Sequence, residues 1–119
     1  MTSSFAGRTA LIVDDEYLIA SMIEEILSRR GVTVLTATRP DEAQAHLNDK
    51  KVDFALIDYQ MRSQPSEAVW TALMQKQIPF AFCTGSLAAE MHSRFPGIII
   101  VPKPFSEDTI IEVASTLVK

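Results

Sequence analysis

Five short apolar runs, at residues 9–13, 32–37, 53–57, 80–83 and 98–101, recur along the chain with polar breaks and helix-period segments between them. Each run is too short for a helix, and the first, third and fifth lack clean alternation, as strands covered on both faces do. The segment at about 16–30 carries Ile19, Met22, Ile23, Ile26 and Leu27 at helical spacing, with Arg29 and Arg30 in its last turn and Gly31 as its stop. A second helix is predicted from Pro40, with Asp41 and Glu42 at its positive end and Ala43 and Leu47 inward. A third, about 65–76, has Ala68, Val69, Ala72 and Leu73 at helical spacing; a fourth runs from about Ser86 to Phe95 ahead of Pro96 and Gly97. The fifth starts after Ser106 as N-cap, with Ile110, Ala114, Leu117 and Val118 inward. Strict strand–helix alternation forces parallel pairing through right-handed crossovers, and five units are too few to close an eight-stranded barrel. The expectation is therefore an α/β fold: an open, doubly wound, five-stranded parallel sheet with five helices.

Ligands on such sheets bind beyond the carboxyl ends of the strands. Those positions hold Asp14, Asp15 and Glu16 after the first strand, Asp58 after the third, Thr84, Gly85 and Ser86 after the fourth, and Lys103 between Pro102 and Pro104 after the fifth. In the flavodoxin-like order 2-1-3-4-5, Asp58 lies centrally, with carboxylates on one side and Thr84 and Lys103 on the other. Three gathered carboxylates repel one another unless a cation neutralises them, and Mg²⁺ accepts carboxylates while leaving positions for phosphate oxygens. The set suits phosphoryl transfer to Asp58, with Lys103 and the Thr84 hydroxyl on the other phosphoryl oxygens. Each residue also has a plainer reading: Asp14 or Asp15 as N-cap of the first helix, Asp58 as turn former, Thr84 as cap, Lys103 as solvated charge. Their joint occurrence at four strand ends favours a shared site.

Length and composition narrow the picture further. At 119 residues there is room for one domain, without a separate output module. Fifteen acidic against eleven basic residues, with a net charge of −4, disfavour a nucleic-acid or membrane-surface role through a broad basic face. The apolar runs fall far short of the ~18 residues of a membrane span, and residues 1–7 lack the features of a secretory signal, so a cytoplasmic protein is expected. The single cysteine, Cys83, reads as a packed strand thiol, and His46 and His92 as surface residues. Trp70 reads as a partly buried core edge, and Arg62 as a solvated loop charge or a group approaching the phosphate.

In order along the chain, Val13-Asp14-Asp15-Glu16, Leu56-Ile57-Asp58 with Met61, Thr84-Gly85 and Lys103-Pro104-Phe105 resemble the motifs of the CheY-like receiver domain of two-component response regulators. The resemblance spans about residues 8–118 and implies a single receiver domain over 1–119. It implies Asp58 as phosphoacceptor, Asp14 and Asp15 as Mg²⁺-site carboxylates, the Gln60 carbonyl as a further metal ligand, and Thr84 and Lys103 at the phosphoryl group, with a cis peptide between Lys103 and Pro104. It also implies a histidine kinase or histidine phosphotransfer protein as donor, a downstream protein partner and, apart from self-phosphorylation and autodephosphorylation, no enzymatic activity. Phosphorylation-dependent homodimerisation stays open.

Four features depart from the family pattern. Arg62 replaces the proline after Met61, Ser66 takes the place of a glycine, Ile100 stands where many receivers carry an aromatic switch residue, and residues 80–86 resemble only in part the Phe-Ala-Thr-Gly signature of a stand-alone alphaproteobacterial subgroup. The alternatives are a receiver-like interaction domain independent of phosphate, and a receiver fragment of a larger kinase or regulator. An aspartate-nucleophile phosphatase is disfavoured, because Gln60 stands where its second acid belongs.

Overall fold

A computed structural model describes residues 5–62, 64–85 and 88–118. Five strands, β1 (Thr9–Val13), β2 (Thr33–Ala37), β3 (Phe54–Asp58), β4 (Phe80–Thr84) and β5 (Ile99–Pro102), alternate with α1 (Tyr17–Ser28), α2 (Pro40–Asp49), α3 (Glu67–Gln75), α4 (Ala88–Arg94) and α5 (Glu107–Leu117). The strands form one parallel sheet in the order β2-β1-β3-β4-β5. The α/β architecture expected from the run pattern is the one observed.

Alternation along each strand sorts the core into two layers. Ala10, Ile12, Phe54, Leu56, Ala81, Cys83 and Val101 pack with Ile23, Leu27, Ile110 and Ala114 of α1 and α5. Leu11, Val13, Ala55, Ile57, Phe80, Phe82 and Ile100 pack with Leu47 of α2, Val69 and Leu73 of α3 and Met91 of α4. Every residue of β3 and β4 is buried, which explains why both are apolar up to their last residues, Asp58 and Thr84. Phe5 closes the α1–α5 layer near the start of β1.

Several boundaries differ from expectation for identifiable reasons. Asp53 stands outside β3: its carboxylate accepts from Thr9 N at 2.8 Å, while its own N–H donates to Thr9 O at 2.8 Å, so it clamps β1 before the ladder begins. Neither Asp14 nor Asp15 caps α1; Glu16 is the N-cap residue, and Asp14 instead folds back on the Glu16 N–H. Ser106 caps α5 as expected, accepting from Thr109 N. Met22 and Ala68, which helical spacing groups with the apolar residues of their helices, are exposed, because each lies just past the edge of its helix's buried stripe. His46 is not a free surface residue: it is half-buried, and its Nε2 lies 3.0 Å from Thr36 O. Helix α4 is described from Ala88, so the expected start at Ser86 lies outside the described residues.

The chain leaves α1 through a turn that requires Gly31. Its φ is +89°, and a Cβ there would lie 3.4 Å from Ala6 Cα, while Val32 N reaches back to Leu27 O. Gly31→Ala is expected to lower the unfolding free energy by about 1–2 kcal/mol in urea titration, the strain of a left-handed non-glycine residue.

Candidate functional site

The parallel register brings four strand ends to one edge. Val13 pairs with Ile57, Asp58 with Cys83 and Thr84 with Pro102, so the residues that follow β1 and β5 flank the end of β3. Asp14, Asp58 and Thr84 are buried, Asp15 is half-buried, and the Lys103 side chain is only 14% exposed. Asp14, Asp15 and Asp58 each offer an oxygen within a cluster no wider than 4.8 Å. Lys103 Nζ donates to Asp14 Oδ2 at 2.9 Å and lies 3.7 Å from Asp58 Oδ2.

Backbone contacts fix these side chains. Asp14 Oδ1 accepts from Glu16 N at 2.9 Å, and Asp58 Oδ1 from Gln60 N at 3.1 Å, each an Asx-type turn that aims the remaining oxygen into the site. Asp15 Oδ2 accepts from Arg62 N at 2.7 Å, so the β3–α3 loop is laid across the site by its backbone, while the Arg62 side chain is exposed. Lys103 N donates to Thr84 O at 2.7 Å, and the Lys103–Pro104 peptide is cis, as the resemblance implied. Thr84 therefore ends its strand beside the lysine. Ser86 lies outside the described residues.

Burial sets the electrostatics. Desolvation, reinforced by the Asp14 charge, pushes the Asp58 carboxyl up to about 7, against the pull of Lys103 and the Gln60 N–H. Asp14 is also raised, by burial, despite its bonds to Glu16 N and Lys103. At Lys103 burial lowers the pKa, but the hydrogen bond and charge of Asp14, with Asp58 and Glu16, outweigh it and leave the ammonium favoured. Cys83, beside Asp58 in the strand register, is pushed up to about 12 by burial, so its thiol offers no soft ligand or nucleophile. What remains is an all-oxygen, net-negative donor set, and that chemistry fits Mg²⁺ rather than a softer metal. Asp14, Asp15 and Asp58 are the side chains that would hold it.

Two neighbours went unassigned in the sequence. Glu16 Oε1 stands 3.4 Å from Lys103 Nζ. Tyr59, next to Asp58, packs edge-on against Phe82 and Phe95, bonds through its hydroxyl to the Arg94 guanidinium and accepts from Ser66 Oγ at its carbonyl. Trp70 joins this cluster through Phe82 and Phe95 and is half-buried, as expected of a core edge. Neither Glu16 nor Tyr59 could have been assigned from spacing alone, since each contact depends on where a long side chain lies across the fold.

A carboxyl whose folded pKa lies near 7 against an ordinary 3.8 penalises the fold once ionised. The penalty is absent below about pH 4, where both folded and unfolded chains are protonated, and complete above about pH 7. With chelator present, Asp58→Asn is expected to be more stable than the wild type by on the order of 2 kcal/mol near pH 8. The two proteins should converge towards pH 4, as read by denaturant melts across that range.

Comparison with known proteins agrees with this geometry. Residues 10–115 match the response regulator receiver domain family. A stretch of 55 residues is 40% identical to the phosphate regulon transcriptional regulatory protein PhoB of Pseudomonas aeruginosa, covering 46% of this chain and 24% of that protein. The match thus spans about a quarter of that relative's length. Among solved structures, SdrG of Sphingomonas melonis is 33% identical with a TM-score of 0.79, over 94% of this chain and 97% of that one. The chemotaxis protein CheY4 of Vibrio cholerae is 25% identical with a TM-score of 0.82, over 94% and 99%. A response regulator receiver protein from Sinorhizobium medicae, 24% identical with a TM-score of 0.83 over 93% and 94%, shares the fold. With a doubly wound sheet in the order 2-1-3-4-5, three carboxylates and a lysine at its carboxyl edge and a family match over nearly its whole length, the chain belongs to the response regulator receiver domain family.

Proposed function

We propose that this chain is a phosphorylation-controlled signalling receiver in which Asp58 accepts a phosphoryl group from the phosphohistidine of a kinase or phosphotransfer protein. The observation that supports it most is the convergence of Asp14, Asp15 and Asp58 on one small volume beside the Lys103 ammonium. An Asp58 carboxylate oxygen forms the new bond to phosphorus as the phosphorus–nitrogen bond to the donor imidazole breaks, its electron pair staying on that nitrogen. Lys103 and the Thr84 hydroxyl are the groups assigned to the phosphoryl oxygens. Mg²⁺, held by Asp14, Asp15, Asp58 and the Gln60 carbonyl, would supply charge neutralisation for that oxygen-rich group. Burial and the Asp14 charge leave the Asp58 carboxyl at about 7 even with Lys103 beside it, so a bound cation would shift it further towards the ionised, nucleophilic form.

The reading extends to the rest of the molecule. Residues 1–119 act as one receiver domain with its core at about 8–118, working in the cytoplasm and signalling through protein contacts. Among the described residues no helix is long and apolar enough to cross a membrane, and the net charge of −4 disfavours direct DNA binding. Membership of the Phe-Ala-Thr-Gly subgroup rests on the stretch from Phe80 to Ser86, a variant of that signature. A phosphate-independent interaction domain is the second reading, favoured by Ile100, which is buried where an aromatic switch residue is usual.

Incubation with acetyl phosphate and Mg²⁺ is expected to add one phosphoryl group by intact mass, and to add none to Asp58→Asn or without the metal. An adduct that persists in Asp58→Asn overturns the assignment. A wild type that neither gains mass nor binds beryllofluoride selects the second reading.

A further inference from the structure

Glu16 lies outside the set of groups assigned to phosphoryl transfer, yet its carboxylate meets the site's ammonium. Lys103 Nζ is 2.9 Å from Asp14 Oδ2, 3.4 Å from Glu16 Oε1 and 3.7 Å from Asp58 Oδ2. The ammonium is thus drawn to the α1 side and stands farthest from the residue assigned as phosphoacceptor. Asp14 cannot easily follow it, since its other oxygen is tied to Glu16 N at 2.9 Å. The Glu16 side chain is more adaptable: it is 49% exposed and, although Glu16 is the N-cap residue of α1, makes no capping bond.

We infer that Glu16 is a positioning residue that holds Lys103 on the α1 side of the site, in competition with Asp58 and any phosphoryl oxygens it bears. The inference rests on the reading of Asp58 as phosphoacceptor. For Lys103 to serve oxygens on Asp58, its contact with Glu16 must lengthen or break. Glu16 therefore weakens the loaded state, while Asp14 keeps the lysine's shortest contact. A half-exposed ion pair of this kind sets an effect of about two- to fivefold.

The experiment is ¹⁹F NMR titration of the full chain with beryllofluoride at saturating Mg²⁺, comparing wild type, Glu16→Gln, Glu16→Asp and Glu24→Gln. Glu16→Gln removes the charge at this position; Glu16→Asp keeps the charge but shortens its reach to Lys103. Glu24, exposed about two turns along α1, controls for general charge. Both Glu16 variants are expected to bind beryllofluoride about two- to fivefold more tightly than the wild type, with Glu24→Gln unchanged. Glu16→Asp matching the wild type while Glu16→Gln binds tighter would show an effect of charge without position and overturn the inference. So would equal affinities throughout, or weaker binding by Glu16→Gln. If one Glu16 variant fails to fold, as read by circular dichroism, the other decides by the same criterion. A wild type that binds no beryllofluoride removes the parent reading and this inference with it, whereas binding that is insensitive to Glu16 removes the inference alone.

Discussion

The repulsion among Asp14, Asp15 and Asp58 is the constraint around which the carboxyl edge of the sheet is organised. Three carboxylates share a volume that burial has stripped of much of its water, and Lys103 meets two of them directly. Coulomb repulsion at such distances is large in a poorly solvated site, so the edge holds together only through compensating donors. Asp14 takes the Glu16 N–H, Asp58 the Gln60 N–H and Asp15 the Arg62 N–H. Each bond also fixes a loop, so charge compensation and loop geometry have a single cause. The raised pKa of Asp58, set first by burial and then by the Asp14 charge, is the residual cost of that crowding, and a cation at the edge would relieve it.

That strain can be tolerated because the sheet beneath is rigid. Strands β3 and β4 are buried along their whole length between two apolar layers, and their register sets where Asp58 and Thr84 emerge. On one face the Tyr59, Phe82, Phe95 and Trp70 rings form a continuous edge-on cluster from the residue after Asp58 to α3 and the end of α4. Ile100 packs in the same layer. The ring contacts that begin at Tyr59 thus pass through Phe82 of β4, and β5 contributes no aromatic ring to them.

Much of this was legible in the sequence, and what was not has physical reasons. Short apolar runs and helix-period segments specify the alternation, and alternation with five units specifies the open parallel sheet; the site then follows from which residues come after each strand. Boundaries shifted where a side chain took a role outside its element, as Asp53 does in clamping Thr9. Met22 and Ala68 were misplaced because helical phase alone does not say how far around each helix the covering sheet extends. His46 was read as a surface residue, and Glu16 and Tyr59 were left without a role, because their partners, Thr36, Lys103 and Arg94, become neighbours only through folding.

The most direct test is the titration of the Asp58 carboxyl carbon itself, followed by ¹³C NMR in chelator and again with saturating Mg²⁺. A midpoint near 7 in chelator, moving well down towards the ordinary carboxylate range when the cation is added, is the result expected of a buried, mutually repelling cluster. A midpoint near 4 that ignores Mg²⁺ would show that Asp58 feels neither its neighbours nor a metal, and would contradict the charge-compensation account.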